Sequence, residues 1–259
     1  MISGGDFTVS NATKVYVLDN ATIDLEQGRT LLVNGTLHVL ATAAAHAHFT
    51  SHKLGGGALA NGEGFSVHYD NSDPYDAPTK SGNLLQNTLI DGLQGGQNTF
   101  FITTNSYPRI TNCRTSANAL GGTGYLTIFA ATQPLIDHNA FDKIVLSIIG
   151  NVRASSSADV YPAFRFEYNV VTNSYYAIQV ANVPSAPVES GQIRFNSFAG
   201  NKSAYLYGVP DGSIVPLGSN FWPGGTGIPP VPFVNSSTTA TVDFATPLSA
   251  ASAGVGPSW

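Results

Sequence analysis

The chain is poor in charged residues and has a single cysteine. Asp, Glu, Lys and Arg make up 10% of its 259 residues, against about 25% in a typical soluble protein. It has 11 basic residues, no basic cluster and a net charge of −5. It therefore lacks a surface that neutralises phosphates, which argues against a nucleic-acid partner. One cysteine, Cys113, excludes an intrachain disulfide framework.

Long apolar runs are also missing. No stretch approaches the roughly 18 apolar residues of a membrane-spanning helix. The first residues, Met1-Ile-Ser-Gly-Gly, have neither the basic start nor the apolar segment of a signal peptide. Low charge with abundant Asn and Thr is typical of an extracellular or cell-surface protein. We therefore interpret the chain as an expressed piece of a longer, multidomain precursor.

Turn-forming residues and a repeated motif are what the sequence has in abundance. The 27 Gly and 15 Pro favour many short strands over long helices. From residue 84 onward, a motif recurs in which an apolar residue precedes Asn by three positions and a second apolar or large residue follows by two. Its central residues are Asn87, Cys113, Asn139, Asn169, Asn196 and Asn220, at steps of 24 to 30 residues.

This period fits one coil of a parallel β-solenoid, in which equivalent residues of neighbouring coils form columns. A buried Asn column can hydrogen-bond along itself, with the Cys113 thiol as a small buried member. The apolar residues predict two core columns, which are Leu84/Ile110/Ile136/Phe166/Ile193/Leu217 and Leu89/Thr115/Phe141/Val171/Phe198/Trp222.

Three segments, two before the repeat and one in its last copy, carry a resemblance to a known family. Residues 28–37 read GRTLLVNGTL and residues 49–51 read FTS, while Asn220-Phe-Trp222 closes the last copy. These segments resemble the entry and end of bacterial extracellular right-handed parallel β-helix (pectate-lyase-like solenoid) proteins. The resemblance covers about residues 15–248, although Pro223 stands where that family has Gly. The resemblance is a strong indication of the architecture and a weak indication of the function.

Repeat and resemblance together predict an all-β chain that forms one single-stranded right-handed parallel β-helix with an internal Asn ladder and variable loops. We expect the helix over 1–248, with an entry or cap region over about 1–60, regular coils over about 61–223 and a closing segment over 224–248. Residues 249–259 are mostly Ser, Ala, Gly and Pro and read as a tail or linker.

A column of charged residues is the candidate catalytic site. Asp137, Glu167 and Arg194 each follow an apolar anchor, and alternation predicts that they point outward. Two carboxylates on adjacent coils, about 5 Å apart, have the spacing of a general acid and base in glycoside hydrolysis. The alternative is a surface charge ladder. In polysaccharide lyases of the fold that this chain resembles, an Arg or Lys abstracts a proton. Arg109 and Arg165, which occupy one column here, are the residues that the resemblance would place in that role.

An acidic loop is the candidate metal site. Asp70, Asp73 and Asp76 supply carboxylates three residues apart, which is chemistry that suits Ca²⁺. The loop lacks the Gly and Glu pattern of an EF-hand, and a solvated loop is the alternative. His46, His48 and His52 are a second candidate metal cluster, although no carboxylate or Cys lies near them in sequence.

Tyrosines in neighbouring coils are the candidate ligand-binding residues, because flat rings with a polar tip suit sugar faces and protein partners alike. This set is Tyr161, Tyr175, Tyr176, Tyr205 and Tyr207. Three functions stay open. The chain is a non-enzymatic module that recognises polysaccharide or a cell-surface glycan, a polysaccharide lyase or glycoside hydrolase, or a structural stalk or tailspike-like oligomer.

Overall fold

The computed structural model describes residues 6–103, 105–118, 124–129, 132–149, 164–181, 192–199, 202–207, 209, 211–212, 214–222, 234–235, 239, 241–244 and 248–259. The strands in chain order are β1 (Phe7–Val9), β2 (Lys14–Val17), β3 (Thr22–Glu26), β4 (Thr30–Val33), β5 (Thr36–Val39), β6 (Ala47–His52), β7 (Ser66–Tyr69), β8 (Leu84–Gln86), β9 (Thr88–Leu93), β10 (Gly96–Ile102), β11 (Arg109–Thr111), β12 (Arg114–Ala117), β13 (Gly124–Phe129), β14 (Leu135–Asp137), β15 (Ala140–Asp142), β16 (Ile144–Ile149), β17 (Arg165–Glu167), β18 (Val170–Thr172), β19 (Tyr176–Ala181), β20 (Ile193–Arg194), β21 (Ser197–Ala199), β22 (Lys202–Tyr207), β23 (Ile214–Pro216), β24 (Val234–Asn235) and β25 (Thr241–Asp243).

These strands wind into a right-handed parallel β-helix, as predicted. Every third strand joins the same sheet, so three long parallel sheets run along the helix. Sheet A contains β1, β4, β7, β10, β13, β16, β19, β22 and β24. Sheet B contains β2, β5, β8, β11, β14, β17 and β20, and sheet C contains β3, β6, β9, β12, β15, β18 and β21. Strands β23 and β25 form a separate parallel pair.

The core is the interior of the coil stack. Alternate residues of each strand point inward, so β13 buries Leu126 and Ile128 while Tyr125 and Phe129 lie on its outer face. The inward side chains stack into apolar columns that include Phe141, Phe166 and Trp222, all at most 3% exposed. Non-polar burial along these columns is the main stabilising contribution to the fold.

Four asparagines form a hydrogen-bonded column inside the helix. The Nδ2 of Asn139 donates to Oδ1 of Asn169 at 3.0 Å, Asn169 donates to Asn196 at 3.1 Å, and Asn196 donates to Asn220 at 2.9 Å. Each Oδ1 also accepts a backbone N–H from the preceding coil, beginning with Cys113 N to Asn139 at 2.9 Å. The buried polar groups of this turn are thereby satisfied along the stack.

Cys113 takes the Asn position one coil earlier. Its thiol is fully buried and lies 3.3 Å from the carbonyl oxygen of Thr111. Burial raises the pKa of this thiol to about 12. The side chain is therefore a small packing group and not a nucleophile.

The first copy of the motif lies one residue away from its predicted register. Ile110 pairs with Leu85 and not with Leu84, and Thr115 pairs with Ile90 and not with Leu89. Thr88 therefore continues the column below Cys113, while Asn87 lies in the turn. The doublets Leu84-Leu85 and Leu89-Ile90 explain the error, because both registers fit the apolar pattern.

A column of left-handed turn residues follows the sheet B strands. Asn87, Asn112, His138, Tyr168 and Phe195 all have φ between 47° and 60°. The rings of the last three stack, with centroids 5.0 and 5.1 Å apart. This turn column recurs at one point in each coil, so it forms an external ridge along the helix.

The segment predicted as a tail or linker lies against this ridge. Gly256 N donates to the carbonyl oxygen of Tyr168 at 2.7 Å, and Trp259 Nε1 donates to that of Asn112 at 2.8 Å. The Trp259 ring stacks on His46 at 3.5 Å and lies 4.9 Å from the Arg114 guanidinium. These contacts connect coils that are distant along the chain.

Candidate functional site

A groove of about 530 Å³ lies on the outer face of sheet A. It crosses β10, β13, β16, β19 and β22, because outward side chains of these strands stand side by side in the parallel register. We call it the tyrosine groove. Its lining residues are Phe101, Tyr125, Thr127, Phe129, Ser147, Ile149, Tyr176, Gln179, Ala181, Tyr205 and Tyr207.

The aromatic rings of the groove are arranged face to face or edge to face. Tyr176 and Tyr205 stack with centroids 5.3 Å apart and planes 16° apart. Tyr175 contacts Tyr176 edge-on at 4.6 Å. Tyr175 and Tyr207 are 50% and 47% exposed. The groove therefore presents ring faces and phenol groups to solvent, the two features that aromatic recognition of sugars uses.

Tyr125 and Tyr176 keep their hydroxyl protons at neutral pH. Burial is the larger cause that raises the pKa of Tyr125, and the neighbouring Tyr205 is the smaller one. Burial is also the largest cause that raises the pKa of Tyr176, and the neighbouring Tyr175 is the next. A protonated phenol can both donate and accept a hydrogen bond, as a sugar hydroxyl does.

One polar atom on the floor of the groove has no partner. Ser147 lies on β16 between Thr127 and Gln179, its neighbours in the sheet register. The residue is 1% exposed, and its Oγ has no hydrogen-bond partner among the residues that the structure describes. The Oγ atom is itself shielded from solvent, so it lies beneath the surface that a ligand would contact, and its missing hydrogen bond is a cost to the stability of the fold.

The structure places most of the predicted tyrosines together, and their role in ligand binding stays a prediction. The structure brings Tyr176, Tyr205 and Tyr207 into one groove, and Tyr175 packs at its edge. Tyr161 lies outside the described residues. The prediction missed Phe101, Tyr125 and Phe129, which are outward positions of strands whose inward neighbours are apolar. Strand alternation was the signal that pointed to them.

The charged column has the predicted order, but its members are paired differently from a catalytic dyad. Asp137 pairs with Glu167, and Glu167 with Arg194, in the sheet B register. The Asp137 carboxylate binds the Arg109 guanidinium at 3.0 Å, and the Glu167 carboxylate binds Arg194 at 2.9 Å. Both carboxylate side chains are largely buried, at 11% and 12% exposed. Each carboxylate therefore has a guanidinium partner.

Arg109 is the most constrained member of these pairs. Burial opposes its charge, but the Asp137 carboxylate and Tyr75 outweigh it and raise the pKa of the guanidinium. Arg165 lies in the same column two coils away, with Leu135 between them. Within the described residues, neither arginine lies beside a group of three or more acidic side chains that could hold a metal ion.

The acidic loop keeps its three carboxylates in separate hydrogen bonds. Asp70 accepts from Thr103 Oγ1 at 2.5 Å, Asp73 accepts from Thr36 Oγ1 at 2.5 Å, and Asp76 accepts from Thr79. Within the described ranges, no group of three or more His, Cys, Asp or Glu side chains has an arrangement that would hold a metal ion.

Two histidine–carboxylate pairs on the outer face of sheet C were not found from sequence. His48 Nε2 lies 3.0 Å from Asp91, and His52 Nδ1 lies 2.8 Å from Asp24. The partners are 43 and 28 residues apart in sequence. They meet because coil stacking places β3, β6 and β9 side by side.

No helix in the described part of the chain is long and apolar enough to span a membrane. No family model, curated protein sequence or solved structure matches the chain.

Proposed function

We propose that this protein is a secreted or cell-surface β-helix module that binds polysaccharide along the tyrosine groove without catalysis. The observation that carries the proposal is the stack of Tyr176 on Tyr205, flanked by Tyr125 and Tyr207, on one open sheet face. The motif at residues 28–37 adds the resemblance to extracellular pectate-lyase-like solenoids.

The shape of the groove suits an extended ligand. It crosses five neighbouring strands, which at the usual strand spacing corresponds to about 19 Å along the helix axis. Among the described residues, the lining of the groove includes no charged side chain. The groove therefore favours a neutral glycan, which offers apolar ring faces to the tyrosines and hydroxyls to their phenol groups and to Gln179.

The first test is retention and product release on a panel of plant, algal and bacterial polysaccharides, with and without Ca²⁺. We expect retention on at least one neutral polysaccharide and no released sugar. Unsaturated or reducing-end products would overturn the non-catalytic part of the proposal and support the lyase or hydrolase alternative.

Variants of the groove test the site itself. Tyr176→Ala and Tyr205→Ala should each weaken binding about tenfold or more, because each removes one ring of the central stack. Leu18→Ala is the control, since Leu18 is 60% exposed and lies outside the tyrosine groove. Equal binding by all three variants would show that the glycan binds elsewhere.

A further inference from the structure

A second groove, of about 470 Å³, lies at the N-terminal coils beside sheet B. Its walls come from β2, β5 and the turn that precedes β8. The lining residues are Lys14, Tyr16, Thr36, His38, Asp73, Pro74, Lys80, Ser81 and Gly82. We call it the basic groove, because its charge is opposite to that of the chain as a whole.

Two ammonium groups of this groove have no acidic partner. Neither Lys14 nor Lys80 forms a salt bridge with a carboxylate of the described residues. The single carboxylate in the lining, Asp73, accepts a 2.5 Å hydrogen bond from Thr36 Oγ1. Two of the five lysines in a chain of net charge −5 thus face one groove, where positive charge exceeds negative charge.

His38 is a fixed, buried member of the groove. It is 6% exposed, and its Nδ1 lies 2.9 Å from the carbonyl oxygen of Gly82. Because a carbonyl only accepts, Nδ1 carries the proton, and Nε2 of the neutral ring is an acceptor, which suits a hydroxyl of the ligand and not an anionic oxygen. The Tyr16 ring lies 5.8 Å from the imidazole and adds an exposed aromatic face at the rim.

The turn that holds His38 is itself tightly built. Gly82 has φ of +83°, and a Cβ at this position would lie 1.8 Å from the carbonyl oxygen of Pro74. Only glycine fits there without rearrangement of the backbone. The buried imidazole therefore has a defined place at the wall of the groove.

We propose that the basic groove binds the oxyanion of a sulfate or phosphate group, held between the ammonium groups of Lys14 and Lys80 beside His38. Lysine is a common point-charge ligand for such groups. The anion is either free in solution or attached to a sugar whose ring packs on Tyr16. The site is separate from the tyrosine groove, and its existence does not depend on glycan binding there.

Two titrations test this site, one followed by calorimetry and one by amide NMR. The added compounds are inorganic sulfate, inorganic phosphate, glucose 6-phosphate and glucose. We expect the three anions to bind and to shift the amide NMR signals of Ser81 and Gly82, while glucose does not shift them. Tighter binding of glucose 6-phosphate than of inorganic phosphate would identify a sugar-borne anion as the ligand class. The reverse order would identify a free anion.

Charge-removing variants decide whether the two lysines hold the anion. Lys14→Gln and Lys80→Gln should each weaken phosphate binding about fivefold. Both side chains are exposed, so the fold should be retained. Lys143→Gln removes the same charge outside the groove and should leave binding unchanged. The proposal is overturned if no anion binds, if glucose shifts the same signals, or if all three variants bind phosphate like the parent protein.

Discussion

The interior asparagine column and the tyrosine groove are both built by stacking one residue per coil, but they use their polar atoms in opposite ways. Asn139, Asn169 and Asn196 direct their amide groups to one another and to buried backbone. The groove instead turns aromatic and polar side chains outward, and Tyr207 is 47% exposed. Polar groups that satisfy one another inside the helix stabilise the fold, while those on its outer face are available to a ligand.

The largest loss of stability is expected from a substitution at the centre of the asparagine column. Asn169→Ala leaves Asn139 N and the Asn139 amide without their acceptor and should lower the free energy of unfolding by about 3 kcal/mol. Polysaccharide binding by the folded fraction should not change. Urea unfolding followed by circular dichroism measures the loss.

Asn173→Gly is the matched control for this change. Asn173 is exposed and has φ of +55°, which glycine adopts without strain. It should lower the free energy of unfolding by less than about 1 kcal/mol. Equal losses for the two variants would contradict a stabilising role that is specific to the buried column.

A substitution in the charged column should lower stability, as one in the interior does, and should leave glycan binding unchanged, unlike one in the groove. Asp137→Asn removes the charge that neutralises Arg109 and should lower the free energy of unfolding by about 1–2 kcal/mol. Glycan retention should stay at the parental level. A variant that is as stable as the parent but has lost a sugar-releasing activity would show that this carboxylate is catalytic.

Contacts of the C-terminal segment should contribute the smallest effect. Trp259→Ala removes the stack on His46 and the hydrogen bond to the Asn112 carbonyl. It should lower the free energy of unfolding by about 1 kcal/mol. An unchanged urea midpoint would mean that the segment behaves as the linker that its composition suggested.

Much of the coil architecture could be read from the sequence because stacked coils repeat their core residues. Ile110, Ile136 and Phe166 were aligned by their distance from the next Asn or Cys, and the sheet register agrees. The first copy failed because adjacent apolar residues at 84–85 and 89–90 allow two registers. Apolar pattern alone cannot choose between them.

The site was less accessible to sequence reasoning than the fold. Tyr176 and Tyr205 were selected by residue type, but their stacking depends on the register of β19 against β22. The pair His48–Asp91 could not be found, because the two residues are 43 positions apart. Coil lengths vary between such partners, so sequence distance does not predict contact.

The most direct test of the central claim is the affinity of a Tyr176→Ala/Tyr205→Ala double variant for the polysaccharide that retains the parent protein, measured with the urea midpoint of both proteins. The account predicts a loss of binding of about a hundredfold with a midpoint close to that of the parent. Undiminished binding by the folded double variant would contradict the assignment of the tyrosine groove as the ligand site.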